Sequence, residues 1–503
     1  MNFNSDNQNV NNNNRNNGQS VRAVRSQPLP DDSVYRLTRE RVLADLRQAY
    51  FDARRHKRAK PYQQHFEKAW ERNLEELCDE LIERRYRPQR SSCFIINDTK
   101  MREVFAADFR DRIVHHLYYN YVHEMYERTF IADTCSCISG RGTHYGINRL
   151  AQHIRQESQG YTVPCWVMKM DIRGYSMHID RGLLLAVCKA TIERMAEHRV
   201  SKHRREVWRE RVDVDFVEYL TEAIVMLDPT ENCRMVGSRD DWRGLPRDKS
   251  LFCSPTGCGL PIGNLTSQLF SNVYLNVLEY MKRELGCRHY GRYVDDFYVV
   301  SADREWLLSL VPRVRVFLRD RLHLELHDGK LTLSPMWHGV EFFGAWVKPH
   351  RIFASRSSVG RIRRKIEVLA ETSSDEWESP LNSYCGLLGH WQNYNLRRSL
   401  LAERKGFGRC GMFDAGVRHW YGVGGLWLTK TITKTKTLLA VSCELSFKWG
   451  LRLTKTITET KTVLNQHPVR TRKPSSNQRE GAFLLPADCC PLTAKKKIVP
   501  LHP

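Results

Sequence analysis

Two short stretches of this chain carry carboxylates where apolar neighbours make them costly unless a positive charge meets them. Tyr293-Val294-Asp295-Asp296-Phe297, preceded by Arg292 and followed by Tyr298-Val299-Val300, reads as apolar strand, acidic turn, apolar strand. Cys165-Trp166-Val167-Met168-Lys169-Met170-Asp171-Ile172 reads as a short strand ending on a third carboxylate. Hard oxygen ligands of this kind suit Mg2+, and two such ions roughly 3.5–4 Å apart can clamp the attacking and leaving oxygens of a phosphoryl transfer. Asp171, Asp295 and Asp296 are therefore candidate ligands for metal-assisted phosphoryl chemistry. Taken singly, the Asp-Asp string also fits a solvated turn, and Asp171 also fits a helix cap.

Positioning these groups needs strands and helices in alternation. Helical periodicity begins at Ser33 with Val34, Leu37, Val42, Leu43, Leu46 and Tyr50, and further helices are expected around Tyr62 to Arg85 and Phe105 to Phe130, with a strand at Cys93 to Ile96 between them. A helical stretch follows from Arg181 to about Met226, another from Asn264 to Leu285, and strands from Arg292 to Ser301 and Leu322 to Leu326. Val359 to Leu369 reads as a basic helix and Leu381 to Leu401 as an apolar one. The mixture is α+β or α/β.

Composition narrows the partner. Against 57 Asp and Glu stand 79 Lys and Arg, a net charge of +22 in 503 residues, which favours a polyanion held by counterion release. No apolar run approaches the ~20 residues needed to span a bilayer, and the start MNFNSDNQNV lacks the apolar core of a secretion signal, so no membrane partner and a cytoplasmic location are expected. The 15 cysteines include no C-x-x-C pair, so reduced thiols are expected rather than a zinc site.

Between the acidic stretches lies Gly259-Leu260-Pro261-Ile262-Gly263-Asn264-Leu265-Thr266-Ser267-Gln268, a bent turn feeding a helix start. With Met170-Asp171-Ile172 and Tyr293-Val294-Asp295-Asp296 in this order, the chain resembles reverse transcriptases. Most of these carry Gln-Gly-x-x-x-Ser-Pro in the middle box. Ile262-Gly263-x-x-x-Ser267-Gln268 is instead similar to the enzymes of diversity-generating retroelements, as is Asp240-Asp241-Trp242-Arg243-Gly244-Leu245-Pro246 ahead of it. That family copies a template RNA with errors at adenines and writes the product into a target gene.

The resemblance implies a right-hand polymerase: fingers at 33–164, a palm at 165–354 whose antiparallel sheet packs on helices, and a helical thumb at 355–412. It implies Asp171, Asp295 and Asp296 as catalytic, with Ile172 joining them around two Mg2+ ions, or Mn2+ in their place. Primer 3′-hydroxyl attack on the α-phosphate would run across those ions. Leu324-Glu325-Leu326-His327-Asp328-Gly329-Lys330 resembles the segment whose lysine can protonate departing pyrophosphate, and Gly339-Val340-Glu341-Phe342-Phe343-Gly344 resembles the primer grip, giving Phe342, Phe343 and Gly344 to nucleic acid. In fingers-like Lys100 to His115, Lys100 and Arg102 would clamp the triphosphate. Arg141, in Ser139 to Gly146, would meet nucleic acid, while Ile262, Gly263, Ser267 and Gln268 would shape the templating pocket. Implied partners are template RNA, a DNA or RNA primer, dNTPs and a small basic helical accessory variability protein, in a bacterial or phage setting.

The chain departs from the family in two places. Ser176, preceded by Tyr175, stands where an aromatic ring can exclude a ribose 2′-hydroxyl, and Ile138 and Ser139 stand where Arg or Lys is frequent. Rival readings are a group II intron or retron-like reverse transcriptase, and a nucleic-acid-binding relic without turnover. Residues 1–32 are Asn-rich and unsuited to folding. Asn11 to Arg25 resembles the end of lectin-like target proteins of these retroelements, so the leader is read either as a translated template repeat or as an ordinary Asn-rich disordered tail. Beyond 412, Gly425 to Thr433 recurs as Gly450 to Thr458 in a basic tail at 413–503 to which no role is assigned.

Overall fold

A computed structural model describes residues 37–55, 60–97, 100–199, 206–371 and 377–402, with backbone strands at Gly411–Phe413, Trp420–Gly422, Val441–Ser442 and Lys497–Ile498. The Asn-rich leader and both copies of the Thr/Lys repeat lie outside the described residues. The architecture is α+β, with helices and mainly antiparallel sheets. It divides into two compact units, one formed by the described residues of Met1–Phe343 and Val347–His350, the other by those of Gly344–Trp346 and Arg351–Pro503. Among the described residues no helix is long and apolar enough to cross a membrane.

In the first unit, the periodicity after Ser33 forms α1 (Arg39–Arg54), capped where Thr38 Oγ1 accepts a hydrogen bond from Arg41 N, with Val42, Leu46 and Ala49 fully buried. Tertiary contacts break several expected helices. Tyr62 to Arg85 becomes α2 (Pro61–Glu67) and α3 (Trp70–Ile82), and at the break Asn73 Nδ2 donates to the Phe66 carbonyl at 2.9 Å. Strand β1 (Ser91–Asn97) pairs antiparallel with β2 (Met101–Ala106). Phe105 N donates to the Ile262 carbonyl at 2.9 Å, which keeps Phe105 extended, and Asp108 then caps α4 (Phe109–Glu127).

After α5 (Thr143–Glu157), β3 (Trp166–Met170) and the short α6 (Tyr175–His178), the stretch from Arg181 forms two helices, α7 (Arg181–Met195) and α8 (Val214–Val225). Trp208 lies buried between them in sequence, its indole N–H donating to the Tyr121 carbonyl at 2.9 Å. Strand β4 (Cys233–Met235) runs parallel to β1, so the small sheet has the order β2-β1-β4. Helix α9 (Leu265–Tyr274) tightens into a 3-10 turn, Leu275–Glu279, before α10 (Tyr280–Arg283), while Tyr274 Oη donates to the Leu322 carbonyl.

The main sheet has β3 between β6 and β7, in the order β5 (His289–Tyr293), β6 (Asp296–Ser301), β3, β7 (Thr332–Pro335), all antiparallel. Met168, Met170, Tyr290, Phe297 and Val299 join a continuous helical core that runs from Val42 to Leu326. Each fully buried large aliphatic there contributes roughly 1.5–3 kcal/mol relative to exposure. The strand expected at Leu322 to Leu326 does not form. Helix α11 (Arg304–Leu322) reaches Leu322, His323 caps it at φ 52°, and Leu326 makes a single bridge to Ile172.

Strands β8 (Val340–Phe342) and β9 (Ala345–Lys348) lie where the chain passes between units. In the second unit, β10 (Arg351–Ala354) leads to α12 (Arg356–Leu369), α13 (Glu378–Gly389) and α14 (Tyr394–Arg397) around Ile362, Ile366, Leu381, Cys385 and Leu388. The apolar helix expected from Leu381 to Leu401 is interrupted after Gly389, where Asn393 Nδ2 donates to the Leu388 carbonyl at 3.1 Å and Gln392 N turns to Ile352 O.

Candidate active site

Sheet register brings the acidic stretches together. Met170 pairs with Phe297 across β3 and β6, so Asp171, the next residue, stands across from Asp296 at the sheet end. Tyr293 pairs with Asp296, leaving Val294-Asp295 as a two-residue hairpin turn. Val294 adopts φ 55°, a left-handed conformation that a β-branched residue rarely takes. Asp171 is buried, and its main chain is tied down because His327 N donates to its carbonyl at 2.8 Å.

The electrostatics follow from this gathering of carboxylates. Burial, followed by the charges of Asp296 and Asp171, pushes Asp295 up to about 7. Asp296 is likewise raised, first by burial, then by the charge of Asp171, with a carboxyl–carboxyl hydrogen bond to Asp171 adding to the effect. Lys330, in the turn Asp328–Lys330, donates from Nζ to Asp171 Oδ1 at 2.7 Å. Burial pulls its pKa down, but the Asp171 hydrogen bond and the three aspartate charges outweigh that, so it sits above the ordinary lysine value as an ammonium.

Mutual repulsion among one buried and two part-buried carboxylates, answered by Lys330 and Lys169, suits a divalent cation, and the all-oxygen donor set suits Mg2+. Among the described residues no group of three or more His, Cys, Asp or Glu side chains is arranged as a metal cage. Mg2+ is commonly held by one or two carboxylates together with substrate phosphates, so Asp171 and Asp296 in contact, with Asp295 in their field, are compatible with it. Ile172 lies buried beside them, bridged to Leu326.

The other expected residues fall into distinct settings. Lys100 and Arg102 are exposed at the tip of the β1–β2 hairpin, with Arg102 opposite Ile96. Gly263, at φ 126°, backs onto that hairpin, where a Cβ would stand 2.8 Å from Val104 Cγ1 and 3.1 Å from Phe105 O. Ile262 packs with Cys93, Phe105, Met177 and Leu251, while Ser267 is buried at the start of α9 and Gln268 is part-exposed. Tyr175 is buried and its hydroxyl donates to the Ser271 carbonyl at 2.6 Å, so the partly exposed side chain of this pair is Ser176.

Arg141, expected at nucleic acid, spends Nη1 on the carbonyls of Ile131 and Thr134 at 2.7 and 2.8 Å. Its guanidinium also stacks on Tyr145. Phe342 is buried with its ring 5.3 Å from Tyr298, whereas Phe343, at φ 47°, lies 4.2 Å from the Tyr293 ring beside the acidic turn. Gly344, at φ 77°, belongs to the second unit, where a Cβ would meet Ser358 Oγ at 2.5 Å.

Several residues at the site escaped the sequence reading. Lys169 acts on Asp296 through its charge and donates from Nζ to the Glu341 carbonyl at 2.9 Å. Its place two residues before Asp171, on the same strand face, is the signal that could have found it. Ser136, Asn272 and Arg292 hydrogen-bond around the Val294 turn, a grouping across 158 residues that no local spacing announces.

No protein-family model and no curated protein matches the chain. Solved structures with some similarity include apo telomerase from Candida tropicalis lacking its C-terminal domain, at 9% identity and TM-score 0.38, with 53% of this chain and 56% of that one covered. Telomerase from Candida albicans with a fragment of telomeric RNA stands at 11% identity and TM-score 0.38, covering 64% and 56%. A further apo telomerase structure from Candida tropicalis gives 10% identity and TM-score 0.38, covering 59% and 52%. The chain thus spans little more than half of each of these telomerase chains.

Proposed function

We propose that this protein is an RNA-dependent DNA polymerase of the diversity-generating retroelement type, with a right-hand arrangement of fingers, palm and thumb. The supporting observation is the meeting of Asp171, Asp295 and Asp296 at one end of the main sheet, where the register sets Asp171 across from Asp296 and Asp295 in the adjoining turn, with Lys330 on Asp171. Bound Mg2+ at Asp171, Asp296 and Asp295 would supply Lewis-acid stabilisation of phosphate charge. The primer 3′-hydroxyl loses its proton to solvent as its oxygen forms a bond to the α-phosphorus of a dNTP, and the bond to the bridging oxygen breaks to release pyrophosphate. Lys330, which donates from Nζ to Asp171 Oδ1, would give that leaving group its proton. Ser176 faces the sugar, Lys100 and Arg102 meet the triphosphate, and Ile262, Gly263 and Gln268 shape the templating pocket. Template-repeat RNA and a small basic helical accessory protein complete the assembly, and adenine-directed errors follow from the retroelement type.

A second reading, a nucleic-acid binder without turnover, draws support from the Lys330 ammonium resting on Asp171, which already offsets part of the negative charge. Extension of a primed RNA template separates the two. Mg2+-dependent cDNA synthesis is expected, falling at least about 1,000-fold in Asp295→Ala, a change that leaves RNA binding in place. Tight RNA binding with no synthesis by the parent protein would establish the second reading instead.

A further inference from the structure

A two-residue turn carrying Val at φ 55° does not hold itself, and the surrounding side chains show what holds it. Ser136 Oγ accepts a hydrogen bond from Val294 N at 2.9 Å and donates to Asn272 Oδ1 at 3.1 Å. Asn272 Nδ2 returns a bond to the Ser136 carbonyl at 2.6 Å. Arg292 Nη1 donates to Asn272 Oδ1 at 3.2 Å and reaches the Val294 carbonyl at 3.4 Å. The N–H and the carbonyl of Val294, one on each side of its Cα, are therefore both held by one network. Arg292 and Asn272 are fully buried, and the main chain of Arg292 is itself clamped, donating to the Asp133 carbonyl and accepting from Cys135 N. Burying a guanidinium is expensive, and an apolar residue would fill the space without that cost.

We propose that Ser136, Asn272 and Arg292 are positioning residues that hold Val294 left-handed in the turn, so that Asp295 and Asp296 are presented to Mg2+ with Asp171 rather than finding their places only when the ion arrives. The proposal rests on the polymerase reading for its activity arm alone. Losing a group that orients ligands costs about 10–100-fold in metal affinity. Ser136→Ala and Arg292→Lys are thus expected to raise the Mg2+ concentration for half-maximal synthesis about 10-fold or more, with a smaller change in KM for dNTP.

The sharper test is a double-mutant cycle with Val294→Gly, because glycine takes φ 55° without strain and should need the network less. Ser136→Ala in that background is expected to cost about threefold or less. A purely structural role for Ser136 predicts the same fold-loss in both backgrounds, and that result would overturn the proposal. A second arm needs no substrate: the Mg2+-induced rise in Tm, titrated for the parent, Asp295→Ala, Ser136→Ala and Arg292→Lys. An inactive parent would refute the polymerase reading while this arm still judges the network. Half-saturation within about twofold of the parent in both network variants, or no Asp295-dependent shift in the parent, overturns the inference.

Discussion

Asp295→Asn is expected to melt higher than the parent protein while losing at least about 1,000-fold in polymerisation. Burial and the neighbouring Asp296 and Asp171 charges raise the Asp295 carboxyl to about 7, so in the folded state its ionised form is disfavoured. The sign follows from linkage: a carboxyl whose folded value lies above its unfolded value binds protons more tightly when folded. Its ionisation therefore costs nothing below about pH 4 and most above about pH 7. Because the side chain keeps some contact with solvent, the gain for Asn at pH 8 is about 1–3 kcal/mol rather than the full shift. Melting curves at pH 5 and pH 8 without Mg2+ would read it, with the gain larger at pH 8. Added Mg2+ should shrink the difference, since the parent then recovers stability by binding. Equal or lower stability at pH 8 would mean that the carboxylates are not crowded as described.

The second large effect concerns Glu103, buried on β2 with its carboxylate accepting from three donors of the insertion ahead of the middle box. Trp242 Nε1 lies at 2.7 Å, Ser250 Oγ at 3.0 Å and Leu251 N at 2.6 Å. Glu103→Ala strands these donors, and unpaired buried donors cost about 1–3 kcal/mol each, so a loss of about 3–5 kcal/mol is expected after partial relaxation. Trypsin should report where it falls, because Arg239, Arg243, Arg247 and Lys249 are exposed in the released segment and would be cut much faster. Glu103→Gln retains an acceptor and should lie between the two. Unchanged cleavage in Glu103→Ala would show that the insertion is held by other contacts.

These two sites also mark what could be read in the sequence. The acidic hairpin was legible because an apolar strand, two carboxylates and another apolar strand leave little freedom in where the turn lies, and Asp171 was legible as a strand end. The α+β mixture followed from the two periodicities. Contacts distant in sequence were not legible. Phe105 has helical neighbours but is drawn into a strand by the Ile262 carbonyl, and Arg141 looks like a free cation yet closes onto two main-chain carbonyls. Leu322 to Leu326 has a strand's composition, but the left-handed His323 ends a helix there instead. Tyr175 and Ser176 could not be ranked from their order, because which of them enters the core depends on Ser271 in α9.

The β2-β1-β4 sheet and the Phe105–Ile262 bond have a consequence for synthesis on the ribosome. The hairpin finishes at Ala106, while its partners Cys233–Met235 and Ile262 are translated well over a hundred residues later. At ~5–20 residues per second, the hairpin waits on the order of 10–30 s with its edge unmet. Nascent chains stalled before Cys233 should leave it open to protease or captured by chaperones, and chains stalled some 40 residues past Asn264 should protect it.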